Sequence, residues 1–170
     1  GVDVLHVPFY SLATGQIAAT AATVIGWAHE RAIPVSIDVS STAILVEVGI
    51  VEVHRRLTET APTVVFANAD EAAVLGIDAP VAGAVTVIKR GPRPALLRCP
   101  DGSVIEVDGI AVPGVNDTTG AGDLYAAGFG TAIRAAFGRS LSEAEATIAR
   151  MRALAARRHL RQLELLADVY

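Results

Sequence analysis

The sequence holds a single cysteine, Cys99, among 170 residues. An internal disulfide is therefore impossible, and a cysteine-built metal cluster is excluded. Lysine is equally scarce: Lys89 is the only one, and all other basic side chains apart from histidine are arginines. Lys plus Arg total 14 against 18 Asp plus Glu, a formal charge of -4, so no broad basic face is available to displace counterions from nucleic acid. Aromatic residues make up 5% of the chain, and Trp27 and the others read as core or edge residues, not as a base-stacking platform. No apolar run reaches the roughly 18 residues of a membrane helix, because Glu47 and Glu52 interrupt the greasiest stretch, Ala43 to Val53. His6, His29, His54 and His159 show no HxxxH or HExxH spacing, and P-loop, GxGxxG and GxSxG patterns are missing, which removes support for a P-loop kinase, a dinucleotide oxidoreductase or a serine hydrolase. No initiator Met, basic leader or cleavage site precedes the strand-like run Val2 to Val7, so the chain reads as the middle of something longer. The lone cysteine fits a reducing cytoplasm, the expected location.

Hydrophobic residues account for 52% of the sequence, and a chain of this length can bury roughly 70% of its unfolded surface. One domain, or part of one, spanning residues 1–170 is the expectation. Short β-branched runs alternate with longer helical ones, the pattern of an α/β fold with a mostly parallel sheet covered on both faces. Strands are expected at Asp3 to Val7, Val35 to Val39, Thr63 to Ala67 and Val85 to Lys89. Helices are expected at Gln16 to Arg31, about Ile44 to Thr60, and Ala69 to Leu75, the last closed by Gly76. Ala95 to Arg98 and Val104 to Val107 flank Pro100-Asp101-Gly102 and read as an edge hairpin. A Gly- and Thr-rich loop follows from Pro113 to Gly122, then helical segments at about Ala121 to Phe137 and Ser142 to about Leu166.

The densest chemical signal is Asp117-Thr118-Thr119-Gly120-Ala121-Gly122-Asp123, at the mouth of an apolar helix. Small residues there leave backbone N–H groups unobstructed, and the helix dipole adds partial positive charge, which together make an anion cradle. Asp123, in the first turn, is kept ionised by the same dipole and is placed to take a proton from a hydroxyl beside a bound phosphate. The structural alternative is a tight Gly turn with Asp123 as a cap. Asn68-Ala69-Asp70-Glu71 opens another helix at the carboxyl end of a strand, where open α/β sheets bind ligands. Its oxygens suit Mg²⁺ held through water, although taken alone the four residues read first as an N-cap Asn68 with Glu71 as capping-box partner. Lys89, Arg90 and Arg93 surround Gly91 and either face phosphates or form a solvated sheet edge.

The stretch from Asp117 to Asp123 resembles, without a gap, the DTxGAGD signature of the ribokinase-like (PfkB) carbohydrate kinases. Gly1 to Leu12 resembles that family's mid-chain strand, and Val35 to Ser40 the strand carrying its Asp; Asn68 to Glu71 resembles its NxxE motif. The resemblance implies a ribokinase-like, doubly wound sheet lacking the N-terminal part and the lid. It also implies ATP-dependent phosphorylation of a primary alcohol on a sugar or nucleoside. Asp123 then matches the catalytic base, and the backbone of Gly120, Ala121 and Gly122 the anion hole. Thr118, Thr119, Lys89 and Gly91 line the nucleotide, Asn68 and Glu71 serve Mg²⁺, and Asp117 serves a monovalent cation such as K⁺. Two departures stand out. Pro94 replaces the second glycine of the family's GxxG turn, and the C-terminal helix carries arginines and no Asn. The family's acceptor-binding Gly-Gly motif comes from the N-terminal portion of the chain, and no Gly-Gly pair occurs here. The resemblance thus implies the phosphate half of a site without most of the acceptor half. The alternative is a degenerate, non-catalytic fragment binding a nucleotide or a protein. Neither nucleic acid nor membrane is an expected partner, while an exposed sheet edge would suit a homodimer.

Overall fold

The computed structural model describes residues 2, 4–108, 120–122, 125, 126 and 129. The chain is described as two units, residues 1–109 and 110–170. In the first unit, each strand expected from β-branched composition forms, displaced by one or two residues: β1 (Leu5–Pro8), β2 (Val35–Asp38), β3 (Val64–Asn68) and β4 (Val85–Arg90). The edge hairpin follows as β5 (Arg93–Arg98) and β6 (Val104–Val107). The six strands lie side by side in chain order. β1 to β4 run parallel, and β5 and β6 turn back antiparallel.

Parallel neighbours need crossover connections, and helices supply them. These are α1 (Tyr10–Ala13) with α2 (Gly15–Glu30), then α3 (Thr42–Val48) with α4 (Ile50–Thr60), then α5 (Ala69–Leu75) followed by a 3₁₀ turn, Val81–Gly83. On one sheet face, Val7, Val35, Ile37, Val65, Ala67 and Ile88 meet Leu12, Ile25, Leu45, Val53, Leu57 and Leu75 from the helices. The alternate residues Val64, Phe66 and Val87 are equally buried. Strands buried on both faces are what a parallel array requires, and they explain why these segments read as continuous apolar runs.

The expected helix over about Ile44 to Thr60 is in fact two helices. Gly49 breaks it with φ 89° and ψ 133°, a backbone state that side-chain-bearing residues rarely adopt. Ser41 begins α3 by accepting the Ile44 N–H at 3.4 Å. Along α4, Arg55 and Arg56 both donate to Glu52, each at 2.6 Å, and Arg55 foremost holds the Glu52 carboxyl down at about 2. Arg56 also donates to the carbonyls of Leu12 and Ala13, tying α4 to the end of α1. A groove lined by Gly15, Ala18, Ala22 and Gly26 of α2 runs beside Arg55 and Glu59 of α4.

The hairpin begins earlier than the sequence suggests, because Pro94 is accommodated within β5. Ile88 pairs with Leu96 and Arg90 with Arg93, so Lys89 faces both Pro94 and Ala95 across a β-bulge. Proline has no N–H for the ladder, and a bulge is one of the few places where a strand tolerates it. Among the described residues, no helix is long and apolar enough to cross a membrane. In the second unit, Gly120 is a turn residue, and Ala121, Gly122, Tyr125, Ala126 and Phe129 are helical, with Ala126 and Phe129 buried. The remainder of the expected loop and helices after Pro113 lies outside the described residues.

The α3–α4 break generates a direct test. Gly49→Ala has nothing to clash with, so its whole cost is backbone strain, expected at about 1 to 3 kcal/mol. Urea unfolding should show a lower midpoint at unchanged slope. An unchanged midpoint would mean that Gly49 is not held in this conformation.

Candidate functional site

Since β1 to β4 run the same way, their carboxyl ends share one edge of the sheet, the usual ligand-binding edge of open α/β folds. Asp38 ends β2, Asn68 ends β3, and Lys89, the register partner of Asn68, lies one residue from the end of β4. Lys89 Nζ lies 2.6 Å from Asp38 Oδ2, with side-chain exposures of 18% and 13%. The other Asp38 oxygen accepts the Ser40 N–H at 2.9 Å. Ser40 takes φ 72°, unusual for a residue with a side chain. In that conformation its hydroxyl donates to the Asp38 carbonyl at 3.0 Å and accepts the Phe9 N–H at 3.0 Å. The ends of β1 and β2 are joined by this serine.

Asn68 and Glu71 form the capping box of α5. The Asn68 side chain accepts the N–H groups of Asp70 and Glu71, each at 2.9 Å, and Glu71 Oε2 accepts the Asn68 N–H at 2.7 Å. Glu71 is 3% exposed. Burial raises its carboxyl above the ordinary glutamate value, opposed by the Asn68 N–H, and then Asp38 pushes it up while Lys89 pulls it down. Asp38 and Lys89 thus act on the Glu71 carboxyl with opposite sign.

The expected site residues divide into three groups. Asn68, Glu71 and Lys89 are brought together at the carboxyl edge, with Lys89 paired to Asp38 and not lying on a solvated rim. Gly91 forms the β4–β5 turn at φ 61°, beside Arg90, whose Nε donates to the Pro94 carbonyl at 2.5 Å. In the second unit, Gly120 has φ 75°, a value glycine adopts freely, and passes straight into helical backbone at Ala121 and Gly122. Asp117, Thr118, Thr119 and Asp123 lie outside the described residues. Sequence reasoning passed over Asp38 and Ser40 as site residues. Their signal was a polar Asp-Val-Ser-Ser run ending an apolar strand, but the partner, Lys89, is 51 residues away.

Among the described residues, no three His, Cys, Asp or Glu side chains are placed to hold a metal ion. The Asn68 amide oxygen and Glu71 Oε2 receive backbone N–H groups, and Asp38 is neutralised by Lys89. These donors fit a hydrated Mg²⁺ held through its waters, which that ion retains readily, and not a directly ligated one.

No family model matches the chain, and no curated protein does. Solved structures do. Adenosine kinase from Sinorhizobium meliloti is 22% identical at a TM-score of 0.69, covering 84% of this chain and 45% of its own. Aminoimidazole riboside kinase from Salmonella enterica is 20% identical at 0.68, covering 89% and 54%. Fructokinase from Vibrio cholerae, in a fructose, ADP and potassium bound form, is 21% identical at 0.66, covering 89% and 52%. These neighbours are PfkB-type sugar and nucleoside kinases, and the chain has their ribokinase-like α/β fold over about half of their length.

The buried Glu71 carries a pH dependence. A carboxyl whose folded pKa lies above its ordinary 4.5 binds its proton better in the folded chain, so its contribution to stability is greatest at low pH. That contribution falls as pH rises from the ordinary value through the raised one. Glu71→Gln keeps an acceptor for the Asn68 N–H and removes the titration. Thermal melts from about pH 4 to about pH 8 should show wild type losing stability relative to Glu71→Gln as pH rises. A flat difference, or one of opposite slope, would contradict the burial of an ionisable carboxyl here.

Proposed function

We propose that the chain is the nucleotide-binding and catalytic-base portion of an ATP-dependent kinase acting on a primary alcohol of a sugar or nucleoside. The observation that carries this reading is Gly120, whose φ of 75° leads directly into helical backbone at Ala121 and Gly122. This is the local geometry that an anion cradle within Asp117 to Asp123 needs. Further support comes from the ribokinase-like fold and from neighbours described as bound to an ATP analogue and to ADP.

In this reading the N–H groups of Gly120, Ala121 and Gly122 stabilise the terminal phosphoryl group of ATP, while Thr118, Thr119 and Gly91 line the nucleotide. The acceptor hydroxyl loses its proton to the Asp123 carboxylate as its oxygen bonds to the γ-phosphorus. The bond from that phosphorus to the β–γ bridging oxygen breaks, and ADP leaves. Asn68 and Glu71 would hold a hydrated Mg²⁺ through its waters, and that ion would supply charge neutralisation for the phosphate oxygens; Asp117 would serve K⁺. Transfer relies on alignment and charge neutralisation. The chain spans about half the length of its structural neighbours, and in this reading turnover by residues 1–170 taken alone is low.

A non-catalytic nucleotide-binding role is the second reading, favoured by Pro94 and its bulge where the related turn has glycine. Calorimetry with Mg·ATP tests both. Wild type should bind, and Gly122→Val, whose isopropyl group obstructs the approach of phosphate to the backbone N–H groups, should bind about tenfold more weakly, a loss the size of one phosphate hydrogen bond. Asp123→Asn should retain nucleotide affinity while turnover falls by about 10² to 10⁴ in any preparation that phosphorylates an alcohol. Unchanged turnover in that variant supports the non-catalytic reading of Asp123, and no Mg·ATP binding by wild type contradicts both readings.

A further inference from the structure

Helix α2 carries more apolar surface than its own core contacts use. Only Ile25 and Ala28 of it are buried, and Ala21 packs against the core beside them. From Gly15 to Ala28 it holds no Asp, Glu, Lys or Arg, whereas the solvent face of a surface helix is ordinarily charged. Ile17, Thr20, Val24 and Trp27 recur at the three- and four-residue steps that align side chains on one face. Ile17 is 65% exposed and Trp27 55%. This stripe stands beside β1, and a groove between them is lined by His6, Val7 and Pro8 together with Ile17, Thr20 and Val24. β1 is an outer strand of the sheet, yet it is a poor template for another strand. Leu5 and Phe9 give their N–H groups to the carbonyls of Pro34 and Asp38 on the β2 side, at 2.9 and 2.8 Å. Alternation therefore turns the backbone of His6 and Pro8 outward, and proline has no N–H to donate. A helix is the element that fits this surface.

We propose that this stripe is an interface between two copies of the chain, their α2 helices packed antiparallel about a twofold axis near Ala22. The stripe is self-complementary in that arrangement, as a twofold contact requires. Ile17 falls against the partner's Trp27 at each end, and the smaller Thr20 and Val24 pack between them. The charges agree with it. Glu30, 70% exposed at the carboxyl end of α2, comes to lie over the first turn of the partner's α2. Thr14 provides no side-chain cap there, so open N–H groups and the positive end of the helix dipole face a carboxylate. Arg31, the neighbouring cation, is turned back onto the Trp27 carbonyl at 3.0 Å and, more loosely, onto Glu30 at 3.4 Å. A parallel pairing would instead bring two Glu30 side chains together. Between the ends no ion has to be stripped of water. The inference is independent of the phosphotransfer reading, and its test reads association, not turnover.

Trp27 is the only tryptophan of the chain, so its fluorescence reports on this face directly. Sedimentation equilibrium and emission spectra are measured on the same samples from about 1 μM to about 1 mM, the range of a contact smaller than a standard interface. Mass should rise from one chain to two, and Trp27 emission should move to shorter wavelength with the same midpoint. Ile17→Lys places a charge at both ends of the contact and should raise the dissociation constant at least about tenfold. Because Ile17 is exposed, its far-ultraviolet circular dichroism should match wild type. Should that variant not fold, Thr20→Arg makes the same test from another exposed position. A single-chain mass throughout would overturn the proposal, whether Trp27 emission is long-wavelength and open to water or short-wavelength and covered within the chain. So would a dimer whose formation leaves Trp27 emission unchanged, or one that the substitution does not weaken.

Discussion

Four strands running in the same direction bring their carboxyl ends, and whatever polar residues terminate them, to one edge, and the charge chemistry of this chain depends on that alignment. The inner strands β2 to β4 are buried on both faces, so their interiors are largely apolar and their charged groups lie at or near their ends. Asp38, Asn68 and Lys89 sit at those ends. Ionic groups at half-buried positions are costly unless paired, and each is paired: Lys89 with Asp38, Asp38 also with the Ser40 N–H, and Glu71 with the Asn68 N–H. The edge holds two hydrogen-bonded groups, Lys89–Asp38–Ser40 and Asn68–Glu71, not a row of independent side chains.

The first of these groups also explains two local departures from ordinary backbone. Ser40 is held at positive φ, a strain offset by its hydrogen bonds to Asp38 and Phe9. Pro94 breaks the β4–β5 ladder into a bulge directly opposite Lys89. Both irregularities flank the Asp38–Lys89 pair, whereas the strand interiors are regular. Backbone strain of this sort persists where surrounding contacts over-determine it, and it concentrates at sites with a task.

Much of the fold was legible in the sequence because its signals are local. Val64 to Ala67 and Val85 to Ile88 are β-branched and apolar, Gly76 closes α5 at φ 63°, and Asp101-Gly102 marks the hairpin turn. The Gly49 break was missed because its neighbours on both sides keep a helical composition, and a single glycine does not declare which backbone state it adopts. Asn68 and Glu71 were legible as a pair since a capping box is written in four consecutive residues. The partnership of Lys89 with Asp38 was not, because it depends on strand order, a long-range property that residue pattern does not encode. Asp117 to Asp123 carries its meaning in sequence alone, and only Gly120, Ala121 and Gly122 of it add backbone geometry to that reading.

The proposed reading puts a nucleotide at the carboxyl edge of β2, β3 and β4. Amide-resolved nuclear magnetic resonance during titration with Mg·ADP tests it most directly. The account predicts that the N–H signals of Ser40, Asn68, Asp70, Lys89 and Gly91 move together and saturate at one ligand concentration. Signals that stay fixed there while those of Ala18, Ala22 and Gly26 along α2 move would contradict it.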